Sequence, residues 1–183
     1  MPRITPPAPE AMTAEQRAVY DAIVAGPRGS MQGPFNAWLA SPALADRAQK
    51  LGEFCRFNSS LPPRLSELAI LYTARQWNAQ FEWYAHEKFA RQGGLADAII
   101  EAIRARRRPD GMAADEAAVY DLCDELYRTR RVSQATYDRA VAELGERSVV
   151  DLVGIIGYYV LVSFTLNVFE MPLPEGVAPP LDE

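Results

Sequence analysis

Apolar positions recur at three- and four-residue steps along most of this 183-residue chain, and strand-like alternation is absent. Thr13 is placed to cap a first helix carrying Val19, Tyr20 and Ile23, stopped at Gly26-Pro27. The run GPRGSMQGP that follows lacks the Gly-Lys-Ser/Thr ending of a phosphate cradle, and no strand precedes it, so it reads as a loop near a pocket mouth. Phe35, Trp38 and Leu39 begin a short helix that packs inward. Ser41-Pro42 opens another, with Leu44, Ala48, Leu51 and Phe54 in period to about Phe57.

The stretch 61–95 organises the rest. Pro62 and Pro63 suit a first helical turn, and Leu65, Leu68, Ala69 and Tyr72 continue it, placing Glu67 near its start. Asn78 is a candidate N-cap for a second helix from Ala79 to about Gln92, closed by Gly93-Gly94. Glu82 and His86 lie four apart on that helix and share a face. Further helices are predicted from Ala96 to Arg107, from Ala113 to Arg130, and from Ser133 to Leu144. Leu152 to Phe169 is a charge-free run long enough to cross a bilayer. Its two tyrosines, Asn167 and two glycines, with no basic flank on the Asp151 side beyond Arg147, predict instead a buried central helix. Leu65–Leu71 and Val149–Ile155 share a faint echo, an acid among apolar residues. The fold class is therefore all-α, a helical bundle in one domain over 1–183. Pro-rich arms are expected at 1–11 and 171–183, the second either disordered or lying over a neighbouring subunit.

With 49% apolar residues the chain can build its own core, and a net charge of −5 argues against a nucleic-acid partner. Cys55 and Cys123 have no paired spacing and sit in apolar helical contexts, as reduced buried thiols do. The first residues lack the apolar core of a secretory signal, and no membrane span is expected, so a cytoplasmic protein is predicted. One histidine and two cysteines leave few ligands for zinc; a carboxylate site of Glu67, Glu82 and His86 is the metal alternative, and the reading taken is no metal and no cofactor. The arginines at 104, 106, 107 and 108 read as a solvated helix end or as a basic rim that draws in carboxylated substrates.

The candidate chemistry lies with Glu67, Glu82 and His86. An imidazole beside carboxylates is a common way to hold a general acid or base near neutral pH. Two acids about one histidine let a proton be shared, which suits proton delivery to a carbanion or enolate. Arg75, Asn78 and Gln80 are candidate donors to a small-molecule substrate, and Trp77, Phe81, Trp83 and Tyr84 candidate walls. A Glu four residues before a His is also a common structural pair.

The segment Leu61–Leu95, with its Leu-x-Pro-Arg-x-x-Glu-Leu start and Gly-Gly-Leu exit, resembles the carboxymuconolactone decarboxylase family, which includes the alkyl hydroperoxidase D branch. That branch carries a glutamate, eleven residues, Cys-x-x-Cys, three residues and a histidine; laid on this chain the glutamate falls on Glu67 and the histidine on His86. The cysteine positions fall on Ala79 and Glu82, so the dithiol peroxidase chemistry is not carried over. The resemblance implies a helical bundle of the alkyl hydroperoxidase D type, catalytic Glu67 and His86, and a homo-oligomer, a trimer or hexamer. As an activity class it implies a decarboxylase-like acid–base lyase acting on a small carboxylated lactone from aromatic-acid breakdown. The alternatives are a peroxidase working through Cys55 or Cys123, and a non-catalytic helical oligomer that binds a ligand.

Overall fold

A computed structural model describes residues 2–182. Among them are nine α-helices: α1 Ala14–Ala25, α2 Pro34–Trp38, α3 Pro42–Glu53, α4 Pro63–Gln76, α5 Gln80–Gln92, α6 Asp97–Arg104, α7 Ala114–Thr129, α8 Gln134–Leu144 and α9 Glu146–Val168. The all-α architecture expected from the periodicity is the one observed. Sequence-coded caps set several starts. Thr13 and Gln16 form a reciprocal capping box at α1 (Gln16 N–H to Thr13 Oγ1 3.2 Å, Thr13 N–H to Gln16 Oε1 3.0 Å). Ser133 caps α8 through the Thr136 amide.

Four helices end in the same way. The residue after the C-cap turns left-handed, and its own amide and the next one close back onto the last turn. Gly94 does this for α5, as its sequence predicts (φ 91°). Asn78 (φ 47°), Arg106 (φ 53°) and Glu170 (φ 49°) do it for α4, α6 and α9 without glycine. Asn78 therefore closes α4 and does not cap α5, whose N-cap is Ala79. Asparagine tolerates this conformation because its short amide bonds locally, here as acceptor from Arg75 and Arg106. For the same reason α6 stops at Arg104, before the expected Arg107: Arg107 N–H closes onto Ala102 C=O at 2.8 Å.

α4 is the axis of the bundle. Every residue from Leu65 to Arg75 is buried, and α5, α6, α7 and α9 pack around it. Arg64 ties its start to that of α7 through Asp115 (2.7 Å) and Glu116 (2.6 Å). α9 packs beside α4. By length and composition α9 could cross a membrane, but it runs through the bundle with 61% of its most apolar window buried. Its Asp151 is buried and accepts from Ser60 N–H (2.8 Å) and Oγ–H (2.7 Å). A stripe of α9, including Val150, Val153, Phe164 and Val168, stays exposed, so the helix is not covered all round.

The C-terminal arm is tied at its end to the chain's own bundle. Leu181 is buried, its C=O and N–H both bond the Gln80 side-chain amide (2.8 and 2.9 Å), and Asp182 meets Arg75 at 2.6 Å. Three anchors within a few residues explain why a segment so poor in apolar side chains holds one path.

Candidate active site

The closed turn at Trp77–Ala79 folds α5 back along α4, and this hairpin sets the site. Glu67 reaches out from α4 to His86 on α5, with Oε2 2.7 Å from Nδ1. Glu82, one turn before His86, puts Oε1 3.0 Å from Nε2. All three residues are buried, at 4–5% exposure. Two acceptors on opposite edges of one ring are both satisfied by the doubly protonated imidazolium, or by a neutral ring with the proton on one carboxyl. Burial opposes charge on the ring, but Glu67 and then Glu82 outweigh it and pull the His86 pKa up to about 9. The trio thus holds a mobile proton in a site largely shielded from water.

Glu82 and His86 face a cavity of about 480 Å³, a size suited to a small metabolite, while Glu67 stands behind the ring. Its walls are aromatic: Phe35 from α2, Phe81 and Phe89 from α5, and Tyr158 and Tyr159 from α9. Tyr159 stands edge-on to the imidazole, with ring centres 5.1 Å apart. Burial pushes both phenols well above their ordinary range, so they stay neutral donors at any pH the site meets. The loop from 26 to 33 does border this cavity, through Arg28, Ser30 and Gln32, as its sequence led us to expect. Arg56 enters from a π-helical turn, Phe54–Asn58, that prolongs α3; such turns re-aim side chains and are frequent at functional sites.

The structure brings Glu67, Glu82 and His86 together but not the expected substrate-binding set. Arg75 is buried on another side, bonded to the Arg104 carbonyl (2.6 Å) and Asp182. Trp77 packs edge-on against Phe164 of α9, and Asn78 is spent on Arg75 and Arg106. Trp83 lies in the core with its indole N–H on Glu87 (3.0 Å) and Arg104 over its ring (5.0 Å). Trp77 and Asn78 sit in the turn between α4 and α5, outside either helical face, and Arg75 and Trp83 are taken up by Asp182, Glu87 and Arg104 on the side away from the cavity. Phe81 and Tyr84 do line the cavity; Gln80 instead anchors the C-terminal arm. Nor do the clustered arginines rim this cavity. Arg104 pairs with Glu87 and Glu101, and Arg108 with Asp121.

Tyr158, Tyr159, Phe89, Arg56 and Lys88 are among the lining residues that sequence reasoning missed; the loop bearing Arg28 was expected there, but that side chain was not singled out. Two adjacent hydroxyls in the middle of an apolar helix were the one available signal. Both cysteines are buried, and burial pushes Cys55 up to about 11 and Cys123 higher still. Neither offers the thiolate that peroxide chemistry requires. Among the described residues no group of three His, Cys, Asp or Glu is arranged to hold a metal ion. Glu67 and Glu82 bind opposite ring nitrogens and so do not converge on one point.

No protein-family model and no curated protein matches the chain. Solved structures do. A protein of unknown function from Agrobacterium tumefaciens, named as a candidate antioxidant-defence protein AhpD, superposes with TM-score 0.68 at 18% identity, covering 78% of this chain and 99% of its own. An uncharacterised peroxidase-related protein from Silicibacter sp. TM1040 superposes with TM-score 0.74 at 11% identity, covering 93% of this chain and 91% of its own. At such identities the likeness is one of fold.

Proposed function

With the AhpD-like fold as premise, we propose that this chain is an acid–base enzyme that transfers a proton to or from carbon, in the manner of a decarboxylase-type lyase. The observation that carries the reading is the line Glu67–His86–Glu82, which runs from the core to an aromatic-walled cavity. Glu82 is the outermost member and the group that meets substrate. In a decarboxylation the bond from carbon to the carboxylate breaks, CO₂ leaves, and the electron pair passes into a conjugated carbonyl as an enolate. The proton on His86 Nε2 passes through Glu82 to carbon, leaving a neutral imidazole whose Nδ1–H stays on Glu67, which holds the ring in place. The trio is reset by a proton from solvent. The substrate class we propose is a small carboxylated lactone or a related product of aromatic-compound breakdown, supported by the size and aromatic walls of the cavity. The dithiol route of a peroxidase lacks an accessible low-pKa thiol here.

The test is proton NMR in D₂O with a panel of such lactones and keto acids, following CO₂ loss and deuterium uptake at carbon. Wild type is expected to turn over at least one member. His86→Gln is expected to lose roughly 10²–10⁴-fold, the range for a positioned acid–base group. Turnover in that variant at the wild-type rate would refute the assignment.

We also propose a cytoplasmic homo-oligomer, a trimer or hexamer. The exposed apolar stripe of α9 beside half-exposed Trp77 supports self-association. A monomer by light scattering at micromolar concentration contradicts it.

A further inference from the structure

Three cations border the cavity, Arg28, Arg56 and Lys88, and none has a carboxylate partner among the described residues. In a chain with net charge −5 and many surface ion pairs, this is a local excess of positive charge. Each is instead held against an aromatic face: Arg28 over Phe35 (4.7 Å), Arg56 and Lys88 over Phe89 (4.4 and 4.8 Å). Arg28 carries the stronger signal. Its Nε and Nη2 are sealed from solvent with no hydrogen-bond acceptor. Those two nitrogens form the side-on edge of a guanidinium, the fork that matches a carboxylate with two parallel bonds. A charged donor pair buried without an acceptor is among the least favourable arrangements a protein keeps. Room for it is made by Gly52: a Cβ there would run into Arg28 Nη2 and the Tyr158 hydroxyl. The loop that bears Arg28 includes Gly29 and Gly33, both at positive φ, so the side chain rides on backbone that other residues adopt with difficulty.

We propose that Arg28, flanked by Arg56 and Lys88, docks an oxyanion, a carboxylate, on a flat organic substrate whose reacting carbon lies toward Glu82. Aromatic walls take the ring, and the guanidinium edge turns to pair with the anion. This rests on the reading of the cavity as the substrate pocket, but binding and turnover separate the two claims. Arg28 then decides which molecules enter, and the Glu82–His86 pair what happens to them.

The test is isothermal titration with benzoate, phenyl phosphate and the neutral isostere benzamide. Wild type is expected to bind benzoate at least tenfold more tightly than benzamide; benzoate favoured over phenyl phosphate identifies a carboxylate fork rather than a general phosphate site. Arg28→Met, which keeps the stem that covers Phe35, is expected to lose that preference, and Arg28→Lys to recover only part of it. The preference is read by binding alone, so failed turnover would leave the anion site standing. Equal binding of benzoate and benzamide by wild type overturns the proposal. So does a folded Arg28→Met variant that still prefers benzoate; if that variant does not fold, Arg56→Met must weaken benzoate but not benzamide.

Discussion

The charge on His86 makes a quantitative demand on stability. In an unfolded chain its pKa is near 6.5; between Glu67 and Glu82 it rises to about 9. The folded state therefore binds more protons than the unfolded state between those values, and unfolding free energy must fall as pH rises through that window. The stabilisation is fully present below about pH 6.5 and is lost by about pH 9. A difference of about 2.5 in pKa, at 1.36 kcal/mol each, amounts to about 3 kcal/mol. For a chain of this size that corresponds to a fall in Tm of about 6–12 °C. The assay is urea unfolding at half-unit pH steps from 6 to 9.5, with His86→Gln run in parallel. Because the two raised thiols also weaken the fold as pH climbs above about 8.5, the diagnostic quantity is the difference between the two proteins. The variant is expected to start several kcal/mol less stable, with two buried carboxylates facing no cation. Its slope from pH 6.5 to 8.5 should be close to flat. Parallel slopes in the two proteins would refute the claim that the imidazolium is clamped by both acids.

Further outcomes follow from the same geometry. Neither Cys55 nor Cys123 should react with a thiol reagent in the native protein within minutes, whereas both should react in urea; rapid native labelling of one would reopen thiol chemistry. Leu181→Ala is expected to destabilise by about 2 kcal/mol, at the low end for a buried leucine because the arm is a surface element, read as a shift in urea midpoint. Gly52→Ala is expected to cost about 1–3 kcal/mol by overpacking against Tyr158 and Arg28, and to weaken benzoate binding; an unchanged midpoint would contradict the contact.

Much of the fold was legible because helices are written locally. The period of apolar positions, the Thr13 box, the Ser133 cap, Pro62-Pro63 and Gly93-Gly94 each act within a few residues of themselves. The misreadings were local signals with two meanings. Asn78 suits an N-cap and a left-handed closure equally; in the fold it takes φ 47° and closes α4, with its side-chain oxygen accepting from Arg75 and Arg106. The C-terminal arm looked loose because its anchors, Gln80 and Arg75, lie about a hundred residues away in sequence.

For the site the division is sharper. The sequence by itself determined that Glu82 and His86 share a helical face, since four residues return the chain to the same side, and the resemblance to a known family pattern pointed to Glu67 as the third member. Only the tertiary structure decided that Arg28, Arg56, Tyr158 and Tyr159 complete the cavity, and that Arg75, Trp77, Asn78 and Trp83 do not. Which helix faces which is fixed by the packing of α9 and the loop after α1 against the α4–α5 hairpin. That packing is a sum of many weak, non-directional contacts between residues far apart in the chain, and no short stretch of sequence encodes it.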